Sequence, residues 1–272
     1  MPRQINLAVE PNSRRLDLPP RAADLVGAAM KNFHESPVIH VRELSNAEFI
    51  ARHARGGCVG LAGGDSFIDR AIARAQRRLG DTGSWGKWSH AFFFQGVRAD
   101  GQPWVIESDL QFHRKHIQLG VQENRASKYH DEKLYTRLAV LDFGLTAAQS
   151  ETLVREGLEL VATRTRYSIA ELFGTLLALR SEKLRASRNV LARDHALFCS
   201  AMVREIFQKA GVDLTPGVAV KNTAPDDLAR SPLVKTIFEL DRPTTPTRLE
   251  KLDQKVFAMK SRLQAARAKL KS

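Results

Sequence analysis

Apolar positions along the chain change period several times, and each change marks an element. Ala47 to Arg55 has helical spacing, and an apolar strand follows around Cys58 to Leu61. Gly63-Gly64-Asp65 then turns the chain. Within Ser66 to Leu79, Phe67, Ile68, Ile72 and Ala75 recur at helical intervals, and Gly80 ends the run. Ser89 to Phe94 reads as a buried strand. Asp100-Gly101 is a hairpin turn, and Trp104 to Glu107 is the returning strand. Residues 111–130 read as a strand and a loop, and Leu134 to Asp142 as a further strand.

The second half is mostly helical. Thr146 opens a helix that runs to about Thr163, and Ile169 to Leu179 has helical spacing too. Ser181 to Arg193 is a basic excursion. Phe198 to Ala210 is an amphipathic helix closed by Gly211. Thr223 is the expected cap of a short helix through Leu228, and Val234 to Leu240 is the last strand. After Asp241 to Pro246 the pattern becomes a heptad: Leu249, Leu252, Val256, Met259, Leu263, Ala266 and Leu270 are spaced by threes and fours. The predicted organisation is a peripheral segment over 1–45, an α+β domain over 46–240, a linker over 241–246 and a basic heptad helix over 247–272. The peripheral segment is expected to hold a helix at Arg21 to Phe33 and a strand at Val38 to Val41. A Cys-bearing helix is expected to pack on an antiparallel sheet.

Composition narrows the class. The 272 residues are 43% hydrophobic and 26% charged, which excludes a wholly disordered chain, a collagen and a disulfide scaffold. No apolar run reaches signal-peptide or membrane-span length, so a cytoplasmic chain is expected, with export by a signal-independent route left open. The net charge is +12. Eight Lys or Arg against Glu250 and Asp253 put half of that excess in the last 26 residues. The tail is thus expected to meet an anionic surface or polymer, or to self-associate through 249–270. No specific nucleic acid is expected, because no recognition motif accompanies the charge.

Only Cys58 and Cys199 are present, too few for a disulfide framework or a Cys-based metal site. No metal or organic cofactor is expected. Cys199 stands at the start of an amphipathic helix, where the helix terminus favours a thiolate. Cys58 sits in Gly56-Gly57-Cys58-Val59-Gly60, without a helix start, and reads as a core thiol. A nucleophilic Cys needs a base and a group that orients the base. His90, opening its strand, is the candidate base, and a carboxylate on the returning strand could hold its tautomer. With Asp100-Gly101 as a two-residue turn, His90 would face Gln111, and Glu107 would lie four positions away, roughly 13 Å along the strand. Glu107 could then reach His90 only through a longer loop or a bulge. Asp109 and Gln111 stay open as orienting groups. His113, His116, His130 and His195 lie in polar stretches and read as surface side chains, and Trp85 and Trp88 as cleft walls or packing residues.

The ordered pieces Trp88-Ser89-His90, Val105-Ile106-Glu107-Ser108 and Phe198-Cys199-Ser200-Ala201-Met202-Val203 resemble the circularly permuted NlpC-like cysteine hydrolases of the papain fold, the YiiX/YebB type. Gly64-Asp65, Tyr167-Ser168, Leu172-Phe173-Gly174, Lys209 to Leu214 and Ala224 to Ala229 extend the resemblance over roughly residues 56–240. It implies a papain-like domain in which Cys199 is the nucleophile, His90 the base and Glu107 the orienting residue. The implied activity is amide or peptide hydrolysis through an acyl-enzyme, with cell-wall peptides or isopeptides among the substrates. The same triad serves lipid acyl hydrolases and acyltransferases. A non-enzymatic basic protein, binding nucleic acid or an anionic surface, is the contrasting expectation. The basic insert before Cys199 and the heptad tail depart from the family pattern and bear on the substrate.

Overall fold

A computed structural model of the chain describes residues 37–76, 84–113, 116–163, 198–242 and 246–269, of which 109–113, 116–119 and 264–269 are described by their backbone only. The expected helices over 21–33 and 169–179, the basic excursion over 181–193 and His195 lie outside the described residues. The described fold is α+β.

Its centre is a seven-stranded sheet made of β1 (Val38–Val41), β2 (Val59–Gly63), β3 (His90–Val97), β4 (Pro103–His113), β5 (His116–Arg125), β6 (Arg137–Asp142) and β7 (Thr236–Leu240). The spatial order is β1-β7-β6-β2-β3-β4-β5. Pairing is antiparallel throughout except at one edge, where β1 runs parallel to β7. That edge departs from the wholly antiparallel sheet expected, and it draws part of the 1–45 segment into the fold.

Side-chain alternation sorts the strands onto two buried faces. One face carries Val59, Leu61, Ala91, Phe93, Ile106 and Leu141, and packs on α3 (Ala147–Ala162) and α4 (Cys199–Lys209). The other carries Ala62, Phe92, Phe94, Val105, Leu138 and Val140, and packs on α1 (Asn46–His53) and a 3-10 turn over Ala126–His130. Burial on both sides explains why Ala91 to Phe94 reads as an unbroken apolar run rather than an alternating one.

The helix starts are locally encoded. Ser45 before α1, Ser66 before α2 (Phe67–Ala75) and Thr146 before α3 each form a reciprocal cap with the residue three positions on. Only part of the predicted apolar face of α2 is buried: Ile72 is, whereas Phe67 is 87% and Ile68 49% exposed. α5 (Pro225–Ala229) is capped by Ala224 rather than the expected Thr223, with the Asp227 carboxylate accepting the Ala224 N–H at 2.8 Å. α6 (Arg248–Lys269) completes the described chain.

Gly60 is the tightest point of the core. A Cβ there would sit 2.1 Å from the ring of Phe92. Gly60→Ala is therefore expected to destabilise the fold by about 1–3 kcal/mol through overpacking, read as a lower urea midpoint with an unchanged slope.

Candidate functional site

The register of the β3–β4 hairpin brings His90 to Glu107. Val97 pairs with Pro103, but Phe94 pairs with Val105 and Phe93 with Ile106, because the register shifts between Phe94 and Gly96. Gly96 makes the bulge feasible with a φ of +110°. The turn itself lies one position away from the simple two-residue loop, with Gly101 at φ +71°. Together these shifts move Glu107 opposite Phe92, one same-face step from His90. Nε2 of His90 lies 2.9 Å from Oε2 of Glu107. The side chains of Asp109 and Gln111, the other two candidates, lie outside the described residues.

Glu107 is fully buried and hydrogen-bonded at both oxygens. Oε2 also accepts from the Tyr129 hydroxyl at 2.5 Å, and Oε1 accepts from Asn124 Nδ2 at 2.7 Å and Lys128 Nζ at 2.8 Å. Burial alone would keep this carboxyl protonated. The His90 hydrogen bond and the Lys128 charge outweigh it and hold the group down at about 2. An ionised carboxylate only accepts, so the proton on neutral His90 sits on Nε2 and the lone pair on Nδ1. Asn124, Lys128 and Tyr129 have no marked signal in the sequence. They reach Glu107 only once β5 and the 3-10 turn fold over it. Asn46, at the start of α1, anchors that turn by donating to the carbonyls of Tyr129 (2.8 Å) and Tyr135 (3.0 Å). The Tyr129 ring stacks on Phe92 at 4.0 Å.

Cys199 is the first residue of α4, with Phe198 at the N-cap, and is buried. The first bond of the helical ladder runs from Met202 N–H to Phe198 O at 2.9 Å, so the N–H groups of Cys199, Ser200 and Ala201 precede the ladder at the positive end of the helix. A chain of polar contacts ties this helix start to the start of β3. The Ser200 hydroxyl donates to Thr223 O at 2.7 Å. Three residues on, the Asp226 carboxylate accepts the N–H groups of Lys87 (3.2 Å) and Trp88 (3.1 Å). Gln76 closes the clamp, donating to Trp88 O at 2.7 Å and accepting from Asp226 N–H at 2.9 Å. Buried Arg204, one turn into α4, donates to Asp213 Oδ1 (2.9 Å) and Thr223 Oγ1 (3.0 Å) and so holds the intervening loop against the helix. Burial pushes the Asp226 carboxyl up to about 6, against the Trp88 and Lys87 N–H groups.

His90 and Glu107 are thus in direct contact, and the Ser200–Thr223 and Asp226 contacts link the start of α4 to Lys87 and Trp88, just before β3. The imidazole faces Phe92 and Tyr129, at 6.1 and 6.3 Å between ring centres, while Cys199 belongs to the apolar cluster on the α4 side. His90 is the first residue of its strand, and its ring lies on the Phe92–Tyr129 face beside Glu107. Cys58 is at the far end of the Phe92–Phe94 face, and burial, aided by Asp142, pushes its thiol up to about 11. Trp88 is a core residue, whereas Trp85 donates to Asp253 at 3.0 Å. A cavity of about 340 Å³ opens beside Gly64, with Arg70, Arg137, Arg242, Asp65 and Glu250 giving it mixed charge. Among the described residues no three His, Cys, Asp or Glu side chains gather as a metal site, and no helix is long and apolar enough to cross a membrane.

No family model matches the chain, and neither does any curated protein. Among solved structures it is similar to the metalloprotein yiiX from Escherichia coli O157:H7, at 15% identity and a TM-score of 0.44, over 70% of this chain and 98% of that one. Similarity of that degree leaves the chemistry to be argued from this chain's own side chains.

Two pH effects separate the two buried acids. Glu107 titrates lower in the folded chain than unfolded, so its contribution to stability is present above about pH 4.5 and is lost as pH falls towards 2. Asp226 titrates higher when folded, so its contribution is present below about pH 4 and is lost as pH rises through about 6. Asp226→Asn should flatten the pH 4–6 slope in chemical denaturation and leave the acid limb intact. Glu107→Ala should cost about 1–3 kcal/mol, because it removes the shared acceptor of Asn124, Lys128, Tyr129 and His90 and leaves the buried Tyr129 hydroxyl without it.

Proposed function

We propose that this chain is a cysteine-dependent hydrolase of amide bonds, with Cys199 as nucleophile, His90 as base and Glu107 as the group that orients His90. The observation that carries the proposal is the buried, ionised Glu107 bonded to Nε2 of His90, with the start of the Cys-bearing helix linked through Thr223 and Asp226 to the residues just before His90. The chain order His, Glu, Cys, with that helix packed on an antiparallel sheet, is the order of the permuted papain-type enzymes that the sequence resembles.

Each part has a task. With Nε2 committed to Glu107, proton exchange runs through Nδ1 of His90. Nδ1 takes the Cys199 proton, and the thiolate attacks the substrate carbonyl carbon. The first-turn N–H groups of α4, that of Cys199 foremost, stand where negative charge develops on the carbonyl oxygen. The C–N bond breaks as the imidazolium returns the proton to the leaving amine, and the acyl group stays on sulfur as a thioester. Water, deprotonated by the same nitrogen, then releases the carboxylate product. Glu107 stabilises the imidazolium without taking its proton, since Lys128, Asn124 and Tyr129 keep it ionised.

An electrophilic epoxide probe tests the assignment. Labelling should disappear in Cys199→Ala and persist in Cys58→Ala, whose thiol is buried and raised. His90→Ala should slow labelling by a factor on the order of 10² or more. Labelling that survives loss of Cys199 would falsify the proposal.

A further inference from the structure

We infer that α6 is a docking element for a partner helix whose heptad seam is flanked by acidic residues. The inference is independent of the chemistry at Cys199. α6 is held to its own domain by a polar face. Asp253 accepts from Arg74 Nε at 2.8 Å and from Trp85, Gln254 lies 3.5 Å from the Ser84 hydroxyl, and Phe257 on the same face is half-buried. At 3.6 residues per turn, the heptad seam is turned away from that face by roughly 140°. Leu249, Leu252, Val256, Met259 and Leu263 are accordingly 38–56% exposed, a continuous apolar stripe along the outer side of the helix. Docking through the polar face leaves the residues of lowest water affinity outward, which is the reverse of an ordinary surface helix.

The flanks say what covers the stripe. The positions beside the seam are Arg248, Lys255 and Arg262 on one side and Asp253 and Lys260 on the other. The four basic residues are exposed, whereas Asp253, the acidic one, is already engaged by Arg74 and Trp85. Pairing with a second copy sets Lys255 against Lys260 in a parallel pair and the Arg248, Lys255 and Arg262 flank against itself in an antiparallel one, and the acid that could answer this charge, Asp253, is engaged by Arg74 and Trp85. A partner with Glu or Asp at these positions turns every one of those contacts attractive. The stripe is two residues in seven, the width of a helix–helix seam. A helix lying in a lipid interface needs a broader apolar face.

The test uses the full chain and two designed three-heptad peptides with Leu seams, one with Glu and one with Lys at the flanks. Calorimetry should show binding of the acidic peptide only, weakening as salt rises. The exposed substitutions Leu252→Asp and Met259→Asp together should weaken it at least tenfold, with circular dichroism confirming an unchanged fold. Lys255→Glu, Lys260→Glu and Arg262→Glu together should reverse the preference to the basic peptide. Equal binding of the two peptides, or binding of neither, overturns the inference. So does seam-dependent dimerisation in sedimentation, or seam-dependent capture by phosphatidylserine vesicles without acidic-peptide binding.

Discussion

The carboxylate of Glu107 is the group on which the candidate site depends. A fully buried acid would normally stay protonated, and a protonated Glu107 could offer its own hydrogen to His90 and leave the imidazole tautomer undefined. Lys128 supplies the opposing charge, and Asn124 and Tyr129 fill the remaining acceptor directions. These donors come from two pieces of the fold: Asn124 from β5, and Lys128 and Tyr129 from the 3-10 turn that Asn46 pins. The carboxylate therefore couples the hairpin, the turn and α1 into one rigid surround. Its effect on His90 is to commit Nε2 as a donor and so fix the tautomer of the ring.

The opposite face of the sheet solves a different problem, which is to bring a helix start to a strand start. Neither end is close to the other in the sequence. The join is made by Asp226, whose carboxylate replaces the ladder partners that Lys87 and Trp88 lack before β3 begins. Ser200 and Arg204 extend the join into α4 through Thr223. Burying a carboxylate for this purpose raises its pKa and costs stability above neutral pH, a cost offset by the backbone groups it satisfies. A site whose position depends on such a clamp is more exposed to acid–base change than one resting on apolar packing alone.

Much of this was legible in the sequence, and the exceptions have physical reasons. His90 stands out as a His opening a strand and Cys199 as a Cys opening a helix, a place that a core thiol fills equally well, whereas Glu107 stands level with Asp109 and Gln111 and only the family resemblance favours it. The spacing between His90 and Glu107 was not legible, because one residue of bulge at Gly96 changes the register of everything beyond it. Thr223 satisfied the cap preference, yet its oxygen atoms are taken by Ser200 and Arg204, so Asp227 caps α5 through the Ala224 N–H. Lys128 and Tyr129 were invisible because their role comes from tertiary contact alone. The heptad of α6 was plain, but its outward direction followed only from the Asp253 contacts.

The tautomer of His90 is the most direct measure of the central claim. Long-range nitrogen–proton correlation spectra of the uniformly labelled protein near neutral pH should show His90 with its proton fixed on Nε2 and an unprotonated Nδ1. A neutral ring with its proton on Nδ1 and a bare Nε2, or shifts averaged between the two tautomers, would contradict an ionised Glu107 acting as the orienting partner.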